Sequence, residues 1–251
     1  MNPALLLLLS LGALPPLPPS DLEAIGRRVW QNEAAGKVEG LADWNSGEAF
    51  ASLGIGHFIW YPPGPKGPFE ESFPGLVRFL SDKGAPPPDW LQPGMACPWP
   101  DRTAFLKETG TPKLQVLRQW LASTVFLQSQ YLAERLEKAL PTMLESLPKE
   151  RREPVKRSFE ALASTTKGRF ALIDYVNFKG EGTKATERYA GQGWGLLQVL
   201  EGMAPGGHAL DFAKAAAETL RRRVKNAPPE RHEERWLPGW LNRVQAYAQG
   251  A

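Results

Sequence analysis

The chain has 251 residues, 42% hydrophobic and 23% charged, which is ample for one sizeable core in one or two domains. Its 30 Lys and Arg stand against 27 acids, for a net charge of +3 with no concentrated basic stripe, which argues against a nucleic-acid partner. The single cysteine, Cys97, excludes an intramolecular disulfide, and His57, His208 and His232 are too scattered for a ligand set, so no metal or other cofactor is expected.

Residues 1–19, MNPALLLLLSLGALPPLPP, carry no charged side chain and run from a leucine tract into small and proline residues. This pattern reads as a secretory signal peptide, or as an N-terminal anchor if it is not removed, and either reading places the protein outside the cytoplasm, periplasmic or secreted. Membrane contact is expected only through that leader. Ser20 with Glu23 has the spacing of a capping box and predicts the first helix of the mature chain. Leu22, Ile25, Val29 and Trp30 repeat at helical steps, and the next position on that apolar face is Glu33. A carboxyl group on an apolar face is pushed toward its protonated form, as a general acid requires. The plainer alternative is that the helix has already ended and Glu33 bonds a loop amide.

Gly36 and Gly40 end this helix, and residues 37–61, short and rich in Gly, Ser and aromatics, predict a small β-hairpin region. Within it Gly54 and Gly56 alternate with Leu53, Ile55 and His57, a pattern that marks either a close backbone approach or a bulge. Trp44, Trp60 and Tyr61 are candidates for stacking on sugar rings, or for the core. The Pro-rich segments 62–69 and 83–100 predict ordered loops around a short helix at 73–83. Helical periodicity then covers 113–147, with Pro141 permitting a bend or a new start, and 153–178. Gly191-Gln192-Gly193-Trp194-Gly195 precedes another helix, and the closing helices at 208–225 and 234–249 are split by Pro228-Pro229. The cluster Arg221-Arg222-Arg223 with Lys225 reads as a solvated helix face. Cys97 reads as a buried small hydrophobe.

The segment from Glu33 to His57 resembles the phage-type lysozymes of the lysozyme-like superfamily, in which a catalytic Glu ends the first helix and a hairpin leads to Thr-x-Gly-x-Gly-His; here Ser52, Gly54, Gly56 and His57 occupy those positions. The resemblance covers about a tenth of the chain and departs from the pattern in having no Asp at the matching place, where Asp43, Asn45 and Glu48 are the neighbours. Gly195-Leu196-Leu197-Gln198 is also similar to the Gly-Leu-Met-Gln segment of lytic transglycosylases, in a different chain order. The resemblance implies an α+β, mainly α-helical fold: a leader over 1–19 and a single lysozyme-like domain over 20–251, with the first helix, β-region and Pro-rich loops over 20–110 and a helical lobe over 111–251.

It further implies an exported peptidoglycan hydrolase or lytic transglycosylase, with Glu33 as general acid and Ser52 positioning water or substrate; Glu48, or else Asp43, is the candidate second carboxylate. With a second carboxylate in the cleft the enzyme activates water; without one it resembles the single-Glu transglycosylases, which form an anhydro sugar. His57, Trp60, Tyr175, Asn177, Glu181, Gln192 and Gln198 are the expected substrate-binding residues. The partner is peptidoglycan or a related polysaccharide, with chitin or chitosan as substrate variants. The alternatives are a catalytically inactive glycan-binding or wall-associated protein on the same fold, and an interaction protein built on the helices of 113–249.

Overall fold

The computed structural model describes residue 14, residues 16–67 and residues 69–251, so most of the expected leader, residues 1–13 and 15, lies outside the described residues. The protein is mainly helical, with a small antiparallel sheet, an α+β architecture. The elements in order are α1 (Pro19–Ala34), β1 (Ala42–Asp43), β2 (Ala51–Leu53), β3 (Phe58–Trp60), α2 (Phe73–Asp82), α3 (Arg102–Lys107), α4 (Pro112–Ser123), α5 (Val125–Glu145), α6 (Lys149–Ala163), α7 (Thr166–Lys179), β4 (Arg188–Tyr189), β5 (Gln192–Gly193), α8 (Leu196–Gly202), α9 (Ala209–Asn226) and α10 (Leu237–Gln245). Strands β1, β2 and β3 form an antiparallel meander, with Asp43 opposite Ser52 and Ser52 opposite Ile59. No helix among the described residues is long and apolar enough to cross a membrane.

Helix α1 buries Leu22, Ile25 and Val29 as its periodicity predicts, but its start differs. Pro19 fills the first turn, where the missing N–H costs nothing, and no side chain caps the end. Ser20 bonds Asp21 and Glu23 pairs with Arg27, so the expected capping box does not form. At the other end Ala35 and Gly36 both take left-handed φ, and their N–H groups return to Gln31 and Trp30. Glu33 therefore stands in the last turn of α1.

The long helical stretches are divided where periodicity gives no warning. The break between α4 and α5 falls at Thr124, whose hydroxyl donates to Trp120 O (2.9 Å), while Gln128 Nε2 donates to the freed Leu121 carbonyl (2.7 Å). Helix α5 then runs through Pro141 without a break. The lost N–H and ring clash cost about 3 kcal/mol in a helix interior, and the burial of Leu136, Leu140, Met143 and Leu144 around it offsets that cost. Thr165 separates α6 from α7 by accepting a bond from Gly168 N (3.1 Å).

A single core runs through both halves. In the first half Trp60 packs on Phe73 (centroids 4.9 Å apart) and edge-on against Trp99, which meets Phe105. Burying a ring such as Trp60 removes roughly 200 Å² from water, worth about 5 kcal/mol before side-chain entropy is counted. Cys97 is buried beside this cluster, and burial pushes its thiol up to about 12, so it is an inert core residue.

In the second half Arg223 is not part of a solvated face. It donates Nε and Nη2 to the two oxygens of the buried Glu233 (2.7 and 2.8 Å), and Tyr189 OH donates to the same carboxylate (2.9 Å). Burial opposes the charge on Glu233, but these donors outweigh it and hold the carboxyl below the usual range.

Two stability tests follow from this packing. A β-carbon on Gly26 would lie 1.9 Å from Ser129 Oγ, so Gly26→Ala is expected to destabilise by about 1–3 kcal/mol in urea titration despite its better helix propensity. Ser129→Ala in the same chain should recover most of the loss. Because Glu233 has a depressed folded pKa, its stabilisation is present above the unfolded value of about 4.3 and disappears as pH falls through the folded value. Glu233→Gln should cost about 3–5 kcal/mol at pH 7 and remove that part of the acid dependence.

Candidate active site

The site begins with the glycines. Gly54 has φ +71°, and a β-carbon there would stand 2.5 Å from Oε1 of the fully buried Gln128. Without that carbon, Gln128 reaches in and accepts from Ile55 N (2.9 Å), fixing the turn after β2. Gly56 leaves room for Asn177, whose Oδ1 would lie 2.9 Å from a β-carbon at that position. Asn177 Nδ2 donates both to Gly56 O and to Glu33 Oε1, each at 3.1 Å, tying the turn to α1 and α7. His57 takes a left-handed φ of +49° and turns Nδ1 to 3.8 Å from Glu33 Oε2. His57 Nε2 is buried without a hydrogen-bond partner among the described residues.

Glu33 is half-buried, its side chain 15% exposed, and it does not sit in an apolar pocket. Arg243 Nη2, from α10, donates to Oε1 at 2.6 Å. The same guanidinium donates Nε and Nη2 to the two oxygens of Asp174 in α7 (2.7 and 2.8 Å). Asp174, wholly buried, also accepts from Asn32 Nδ2 (3.1 Å) and Tyr247 OH (2.6 Å). Burial alone would discharge Arg243; Asp174 and Glu33 outweigh it and hold the guanidinium well above its ordinary value. The phenol of Tyr247 is pushed well up by burial and by Asp174.

Glu48 comes from the loop between β1 and β2. The loop is pinned where Trp44 Nε1 donates to Glu48 O (2.8 Å) and Asn45 Nδ2 to Glu48 Oε2 (3.1 Å). Burial raises the Glu48 carboxyl; Asn45, His57 and the Ser52 hydroxyl act against it. His57 thus approaches Glu33, and its charge, with the Ser52 hydroxyl, also acts on the Glu48 carboxyl. Asp43, the other candidate carboxylate, pairs across from Ser52 in the strand register.

The remaining expected residues divide. Asn177 is at Glu33. Trp60 is fully buried, with its Nε1 donating to Met95 O (3.0 Å), and cannot stack on a sugar ring. Tyr175 is fully buried and donates to Trp194 O (2.9 Å), so it too belongs to the core. Glu181 faces Glu70, Lys184 and Glu187, and burial raises its carboxyl. Gln198 is turned inward: it accepts from Gly195 N (3.0 Å) and donates to Gly182 O (3.1 Å), stapling the loop before α8. Gln192 is exposed and, with Gln198, borders a different cavity whose lining includes none of Glu33, Glu48, Ser52 or His57. Asp174, Arg243 and Tyr247 join the site without being among the residues expected from the sequence. Asp174 did carry a signal: it is a carboxylate inside the apolar run Phe170-Ala171-Leu172-Ile173-Asp174-Tyr175.

No protein-family model, curated protein or solved structure matches this chain.

The raised Glu48 carboxyl has a consequence for stability. A folded pKa above the unfolded value contributes stability only at low pH, and that contribution is lost as pH rises through the folded value. Glu48→Gln should therefore be at least as stable as the parent at pH 7, and its melting temperature should vary less between pH 4 and 7. A clear loss of melting temperature at pH 7 would show that the carboxylate is held as an anion.

Proposed function

We propose that the protein cleaves the glycan of a bacterial cell wall, with Glu33 as general acid and Glu48 as the second carboxylate, on a lysozyme-like scaffold. The observation that carries this reading is the division of labour between the two oxygens of Glu33. Oε1 is engaged by Arg243 and Asn177, while Oε2 has no hydrogen bond among the described residues and faces His57 Nδ1 at 3.8 Å. Both oxygens of Asp174 are already filled as acceptors by four bonds. Oε2 of Glu33 is the oxygen left open to approach a glycosidic oxygen, which is the position a general acid needs.

In this mechanism Oε2 protonates the leaving oxygen and an oxocarbenium-like centre develops at the sugar. Glu48, beside the Ser52 hydroxyl, activates the attacking water or stabilises the developing charge. The product decides between hydrolysis and lytic transglycosylation, in which the 6-hydroxyl of the substrate replaces water and gives its own proton to the Glu33 carboxylate as it closes the anhydro ring, the first proton staying on the released sugar. The apolar leader of residues 1–19 suits an enzyme that meets its substrate outside the cytoplasm.

A second reading rests on the same contact. Glu33 bonded to a buried arginine at 2.6 Å is also what a purely structural counter-ion looks like, and a glycan-binding protein without turnover would keep it.

The two readings part at Glu33→Gln. Asp174 retains Arg243, so the variant should fold, with unchanged far-UV circular dichroism. Release of soluble muropeptides from purified peptidoglycan should fall about 100-fold or more, the usual contribution of a positioned general acid. Undiminished release by the folded variant rules out the proposed chemistry. If the parent protein binds sacculi but releases nothing, the binding-only reading holds.

A further inference from the structure

A cavity of the described residues lies away from Glu33. It holds about 390 Å³ and opens between the turn joining α5 to α6, the β4–β5 hairpin, α8 and α9. Three guanidinium groups line it, those of Arg151, Arg188 and Arg222, against one carboxylate, Glu201. Arg151 and Glu201 form an ion pair, and burial raises the Glu201 carboxyl while Arg151 and Arg188 act against it. The other two cations have no acid partner among the described residues. Arg188 reaches only the carbonyls of Gly191 (3.4 Å) and Gly182 (3.5 Å), and Arg222 only Thr219 Oγ1 (3.4 Å). All three contacts are at the long limit of a hydrogen bond.

Two planar five-donor groups left without strong acceptors, facing one concave space, are poorly explained as structural charges. A solvated arginine gains little from approaching another cation, and like charges at close range repel. The hairpin adds Gly191 and Gly193, which put no side chain into the mouth of the cavity. We propose that this cavity is a binding site for a phosphate group, held by Arg188 and Arg222 through paired N–H donors, with Arg151 released to it from Glu201. A guanidinium fork matches the spacing of two phosphate oxygens, and such charge-assisted bonds are about twice as strong as neutral ones. The site shares no residue with the Glu33 constellation and stands independently of the function proposed there. Its ligand is either a small phosphate compound or the phosphodiester backbone of a polymer; the bound chemistry is the same.

Isothermal titration of the full-length protein tests the assignment, with inorganic phosphate and glycerol 3-phosphate as small probes and polyglycerol phosphate as the polymer probe. Saturable one-site binding of inorganic phosphate is expected, with acetate and chloride much weaker. Arg188→Gln and Arg222→Gln should each weaken phosphate by about tenfold, the loss of one charged hydrogen-bonding group. Glu201→Gln should tighten it, because a competing carboxylate is gone, and Gln192→Glu at the exposed rim should weaken it without touching a core contact. Preferential binding of the polymer identifies that source, and preferential binding of glycerol 3-phosphate identifies the small one. Absence of saturable phosphate binding overturns the proposal. So does equal binding by the parent and Gln192→Glu, or weaker binding by Glu201→Gln.

Discussion

A carboxylate with no access to water is the constraint on which this structure turns. Asp174 is fully buried in α7, and an unpaired charge there would cost several kcal/mol. Four hydrogen bonds from three residues meet it: one from Asn32 in α1, two from Arg243 in α10 and one from Tyr247 just beyond. The fork of Arg243 is matched to both carboxylate oxygens, the geometry in which a buried pair most nearly repays its desolvation. What it fixes is position. Set on Asp174, Arg243 also extends Nη2 to Glu33 in the last turn of α1. The location of the proposed acid is thus decided by a residue that does not itself face substrate.

The parts legible in the sequence are those whose causes are local. The end of α1 is written in Ala35-Gly36, the meander in the short run from Ala42 to Trp60, and the turn in Gly54 and Gly56. The reasons for those glycines were not legible: Gly54 makes room for Gln128 and Gly56 for Asn177, side chains more than 70 residues away. Arg243 stands in Leu-Asn-Arg-Val-Gln, a stretch with no feature to separate it from any solvated helix. Trp60 and Tyr175 were read as ligand-facing because an aromatic side chain has the same composition whether it stacks on a sugar or on Phe73 and Phe212. The divisions at Thr124 and Thr165 escaped because the apolar spacing continues across both, and only hydrogen bonds to the freed carbonyls and amides mark them.

Beyond Arg243 the charges continue in an order that pairing rules alone would not produce. Arg243 lies over the Phe178 ring (4.1 Å), Lys179 Nζ lies over Phe178 and Trp240 (3.8 and 3.5 Å), and Arg223 lies over Trp240 and Trp194 (4.9 and 4.2 Å). Three cations are thus interleaved with aromatic faces, whose quadrupoles partly replace the counter-ions. The arrangement costs Lys179 most. Burial, then Arg223 and Arg243, lower its ammonium well below the ordinary value. The stack joins the Asp174 cluster to the buried Glu233, so the two ionic centres of the second half share one wall of rings.

Glu33 and Arg243 are separated by 210 positions in the chain. Contacts of such span form late, after the entropy of closing a very long loop has been met. During synthesis α10 must emerge before Glu33 finds its anchor, and a chain interrupted earlier carries Glu33 on a helix end without Arg243 to orient it. The Glu33 cluster is therefore absent from any partial chain that lacks α10, a consequence of placing its two halves at opposite ends of the fold's chain order.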